Sequence, residues 1–85
     1  MKKIWREYKK ALKESEKAYK AYENDPENEE KEKAFDESYD KEFKAYTTLI
    51  DALVNFTNGM IDKDTAKMMI KTRENELENL IERLA

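Results

Sequence analysis

Ten carboxylates fall within residues 23–42, where only Lys31, Lys33 and Lys41 oppose them, so this stretch carries a net charge of −7. Tyr19, Tyr22 and Tyr39 stand among or just before them. Carboxylates and phenols at this density suit two kinds of chemistry. General acid–base work needs a carboxyl group whose pKa is moved toward neutrality by burial, which a solvated helix face does not supply. Recognition of a cationic surface needs only a complementary field and ring faces that pack while staying wet. The second is the better match. Its candidate contact residues are Tyr19, Tyr22, Glu23, Asp25, Glu27, Glu29, Glu30, Asp36, Glu37 and Asp40. The competing reading is a solvated face whose acids favour the positive end of a helix dipole.

Other chemistry finds little footing. The chain has no histidine and no cysteine, which removes imidazole catalysis, thiol chemistry, disulfides and nearly every zinc site. Its one glycine, Gly59, precedes Asp62 and Asp64, the reverse of the order a calcium-binding EF-hand loop requires. No nucleophile–base pair or phosphate-binding glycine loop is present. The expectation is therefore a non-enzyme with no catalytic, cofactor-binding or metal residues. Lys2 and Lys3 lead into Ile4, Trp5 and Arg6 rather than an apolar run, and no stretch approaches the ~18 apolar residues of a membrane span. The expected compartment is the cytoplasm.

The elements that must position these residues follow from composition. Of 85 residues 44% are charged, with one glycine and one proline, the profile of long helices. From residue 13 to 48 there is no leucine, isoleucine, valine or methionine, and apolar contacts there fall to rings and alanines. Trp5, Tyr8, Leu12, Ser15, Tyr19 and Tyr22 recur at alternating steps of three and four, a helical stripe. Phe35, Tyr39, Phe43, Tyr46, Leu49, Ile50, Leu53 and Phe56 form a second, and Ala66, Ile70, Arg73, Leu77, Leu80 and Leu84 a third. Asp25-Pro26 supplies an N-cap and a first helical position, Asn58-Gly59 a C-terminal break, and Asp62 a further N-cap. The spacing predicts one all-α domain over residues 1–85, with helices at about 3–23, 26–57 and 62–84. Short connections make it an antiparallel three-helix bundle with a long central helix and a protruding hairpin tip between the first two helices.

In this arrangement Leu12 faces Phe35, Tyr8 faces Tyr39, and Leu80 reaches Tyr39. The rings Phe35, Tyr39, Phe43 and Tyr46 join the shared core, leaving residues 15–33 uncovered. Arg73 and Glu42 both fall in inward register on adjacent helices, where they snorkel or meet as an interhelical ion pair that fixes register. Residues 1–12 carry five cations against Glu7 alone, too few for nucleic acid at physiological salt.

In composition the chain resembles the small lysine- and glutamate-rich helical products of phages and mobile elements, among them anti-defence (anti-CRISPR) inhibitors. This likeness implies a small protein-binding module that blocks a larger host protein through the acidic, tyrosine-bearing surface. The partner expected is a nucleic-acid-binding enzyme with a basic groove, with no direct nucleic-acid contact. Two other roles suit the same residues. One is a homo-oligomeric scaffold, a homodimer with Val54, Met60 and Met68 at its seam. The other is a bacteriocin-immunity-like protein using Trp5 and the basic turn at a membrane face.

Overall fold

The computed structural model describes residues 1–84, and among them every regular element is a helix: α1 Lys2–Asn24, α2 Glu29–Phe56, α3 Lys63–Thr72 and α4 Glu74–Leu84. The molecule measures 46 × 20 × 19 Å, and its long axis is close to the ~42 Å expected for the 28-residue α2. α1 and α2 form an antiparallel hairpin along this axis.

The first turn departs from the expected cap. Asn28, not Asp25, is the N-cap of α2, and its Oδ1 accepts from the backbone N–H groups of Glu30 at 3.0 Å and Lys31 at 3.3 Å. Asp25 instead opens a tight turn that the Asn28 N–H closes on the Asp25 carbonyl at 3.1 Å. Pro26 takes the second place in this turn, where its fixed φ is suited. Moving the helix start shifts the hairpin register. Tyr8 packs beside Tyr46, with ring centroids 6.0 Å apart, and not beside Tyr39. Phe35 meets Tyr19 at 5.2 Å and Tyr22 at 6.0 Å, and not Leu12.

α2 ends in a Schellman arrangement. The Gly59 N–H donates to the Val54 carbonyl at 2.9 Å and the Asn58 N–H to Asn55 at 3.2 Å. Asn58 holds the left-handed position, with φ 53°, and Gly59 follows at φ 81°. Asp62 caps α3 through the Thr65 N–H at 2.7 Å. That contact holds its carboxyl below the usual value.

The expected third helix is two helices, which makes four among the described residues. It breaks at Arg73, which ends α3 through its N–H to the Met69 carbonyl and starts α4 through its carbonyl to the Leu77 N–H. The Thr72 hydroxyl donates back to the Met68 carbonyl at 2.9 Å, a contact that bends helices. Burial explains why the chain reverses. A straight helix would carry Leu77, Leu80 and Ile81 along the stretch that has no aliphatics. Turned back, Leu77 and Ile81 enter a core with Tyr8, Leu49, Ile50, Leu53 and Ala66, and Ile4, Trp5, Leu12, Tyr46 and Leu80 pack against it. α4 runs antiparallel to α1, with Glu74 paired to Lys9 and Glu78, Ile81 and Glu82 beside Lys2, Trp5 and Arg6.

The core therefore sits at one end, where all four helices meet, and α1 and α2 continue beyond it as a two-helix stem. Tyr46 and Leu12 reach the core as expected. Phe35, Tyr39 and Phe43 do not, and Tyr39 and Phe43 are more than half exposed, as is Phe56. Arg73 is exposed at the α3–α4 joint and makes no ion pair with Glu42. The ion pairs among the described residues are Lys9–Glu74, Lys31–Asp25 and Lys44–Asp40.

Candidate functional site

The stem is held by rings. Phe35 of α2 is the hub, in contact with Tyr19 and Tyr22 of α1 and with Tyr39 one turn along its own helix at 6.2 Å. These rings replace the missing aliphatics, since tilted and offset pairs at such separations attract beyond the area they bury. Toward the core the stripe of α1 is interrupted. Ser15 occupies a position where Tyr8, Leu12, Tyr19 and Tyr22 elsewhere present large side chains, and it is only 4% exposed. The Tyr8–Tyr46 and Tyr19–Phe35 pairs place Ser15 level with Tyr39. A small residue there leaves space.

That space is a groove of about 600 Å³ lined by Ser15, Glu16, Tyr19, Lys20 and Glu23 of α1 and by Phe35, Tyr39 and Glu42 of α2. Its floor is aromatic. Its rim carries three carboxylates against the Lys20 ammonium. Two of these acids bear on the core: the Tyr8 hydroxyl is held above its ordinary pKa first by burial and then by Glu42, Tyr46, Glu74 and Glu16. A groove with ring faces below and carboxylates above is suited to a cation that carries apolar or planar surface.

The structure separates the candidates that sequence put together. Tyr19 and Glu23 line the groove. Tyr22 is half-buried and stacked on Phe35. Asp25 is engaged in the turn, accepting from Asn28 Nδ2 at 3.3 Å and facing Lys31 Nζ at 3.6 Å. Glu27 lies exposed in the same turn, and Glu29 and Glu30 are exposed in the first turn of α2. Asp36, Glu37 and Asp40 are exposed, and Asp40 pairs with Lys44 one turn on at 3.3 Å. At about 100° per residue, Glu29, Asp36 and Asp40 form an outward stripe roughly 120° from Phe35, away from the groove. Ser15, Glu16, Lys20, Phe35, Tyr39 and Glu42 belong to the groove and were not among the sequence candidates. Ser15 was the available signal: a lone hydroxyl within an otherwise large, apolar stripe.

In the basic turn of α1, Lys9 pairs with Glu74 of α4, and Lys2 and Arg6 line a cleft with Glu78 and Glu82. Among the described residues no three carboxylates gather into a metal-holding group, and no helix is long and apolar enough to cross a membrane. No family model, curated protein or solved structure matches this chain.

Proposed function

We propose that the chain is a small, non-enzymatic protein-binding module that blocks a larger protein by docking its acidic stem. The observation that carries this reading is the groove: ring faces and carboxylates presented on the two-helix stem, outside the core that holds the fold together. Aromatic rings that are exposed on a rigid scaffold are the usual anchors of protein interfaces, and acids around them give speed and selectivity toward a basic surface. A nucleic-acid-binding enzyme offers such a surface, and the compositional likeness to phage and mobile-element inhibitors agrees with that choice.

The test is capture of a partner from an extract of the native host with the intact chain, followed by competition with duplex DNA. A captured nucleic-acid-binding protein that DNA displaces, and that a chain reversed in charge at Glu16, Glu23 and Glu42 holds at least tenfold more weakly, supports the reading. Full-strength binding by the reversed chain counts decisively against it.

Self-association is the second reading, because Met60 is 91% exposed and Phe56 and Met68 about half exposed. Sedimentation at micromolar concentration decides it: the mass of one chain removes the dimer.

A further inference from the structure

We infer that the stem groove is the seat of a cationic helix of a partner protein, laid in line with α4. This rests on the docking reading above and specifies which surface docks and what it accepts. Heptad spacing carries the argument. On one face of α1, Lys9 pairs with Glu74 of α4, and Lys2, Trp5 and Arg6 stand opposite Glu78, Ile81 and Glu82 of α4 across a narrow cleft. Two heptads further along that same face stand Glu16, Tyr19, Lys20 and Glu23, which line the groove.

On α2, Tyr46, Leu49 and Leu53 pack in or against the core that Leu77 and Ile81 of α4 enter. One or two heptads back stand Phe35, Tyr39 and Glu42, also in the groove. The groove is thus the open continuation of the seat that α4 fills at the base. A heptad repeat drifts only about 20° per turn of the pattern, so the face is preserved over this distance.

The charge along this seat inverts. At the base the α1 face is basic, and α4 meets it with Glu74, Glu78 and Glu82. On the stem Glu16, Glu23 and Glu42 outnumber Lys20, so the helix that completes the seat must carry cations where α4 carries acids. Arginine is the better fit of the two basic side chains. Its planar guanidinium stacks on ring faces such as Tyr39 and binds a carboxylate through two donors, where an ammonium does neither. Ser15 adds little bulk to the groove wall beside Tyr39.

The probe is a synthetic amphipathic helical peptide with arginines spaced to one face and leucines beside them, titrated into the intact chain at physiological salt. Amide resonances report where it binds. The inference expects saturable shifts confined to residues 15–23 and 35–42. It also expects at least a tenfold loss of affinity when citrulline, neutral and nearly isosteric, replaces arginine, and a similar loss with Glu16→Gln/Glu42→Gln. Equal binding of the citrulline peptide, shifts centred elsewhere, or occupation of the groove by a second copy of the chain would each overturn it. Capture from the host extract and competition with DNA use no arginine peptide, so the wider docking reading fails or stands separately.

Discussion

The rings of Tyr19 and Phe35 lie 5.2 Å apart at an interplanar angle of 56°, and both line the stem groove. This contact has two consequences. It holds α1 to α2 where no aliphatic side chain is available, and it leaves one face of Tyr19, nearly half exposed, toward solvent.

Phe35→Ala should loosen the stem without unfolding the base. The half-buried ring touches three others, so its loss should cost roughly 2 kcal/mol, less than a fully buried phenylalanine. Hydrogen exchange is the check: amides of residues 15–23 and 31–40 should lose protection, while those around Leu49 and Leu53 keep theirs. Equal loss at both ends would mean that stem and base open together.

The return of α4 depends on burial more than on charge. Leu77 is fully buried, so Leu77→Ala should cost about 2–5 kcal/mol. Glu74→Gln removes the pair with Lys9, whose two side chains are 35% and 47% exposed. It should cost no more than about 1 kcal/mol, less still at high salt. Chemical denaturation of the two variants gives the comparison directly, and a larger loss from Glu74→Gln would reverse this ranking.

Alkaline pH should destabilise the fold through Tyr8. Burial and the neighbouring carboxylates raise its folded pKa above 10.0, so the unfolded chain releases this proton first. Its stabilising contribution is complete below pH 10 and is lost as pH rises from there through the folded pKa. In Tyr8→Phe the fall between about pH 9 and 11 should be shallower than in the parent chain. Melting temperatures measured across that range would show it, and identical slopes would remove Tyr8 as the cause.

Much of this fold is legible in the chain, because helical stripes report faces well. The stripes of α1 and α2, the Asp62 cap and the break after Phe56 all follow from side-chain type and spacing. The failures have local causes. Asp25 and Asn28 are both good caps three residues apart, and the choice between them moves the hairpin register by seven residues, from Tyr39 to Tyr46 opposite Tyr8. The joint at Arg73 has neither glycine nor proline, and it forms because Leu77 and Ile81 find apolar partners only by turning back. Of the site, sequence points to Tyr19 and Glu23. The acids Glu29, Asp36 and Asp40 lie outside the groove, which charge counted along a chain does not show because it carries no direction.

Substitution of Ser15 by leucine tests the central claim most directly. The added side chain occupies the groove opposite Tyr39 and restores the apolar stripe, while Ser15→Ala keeps the space open. Calorimetric titration of the arginine peptide into both variants, with their melting temperatures recorded, reads binding and folding separately. The account predicts that Ser15→Leu remains folded, with a melting temperature a few degrees below the parent at most, yet binds the peptide at least tenfold more weakly, and that Ser15→Ala binds as the parent does. A folded Ser15→Leu chain with parental affinity would contradict it.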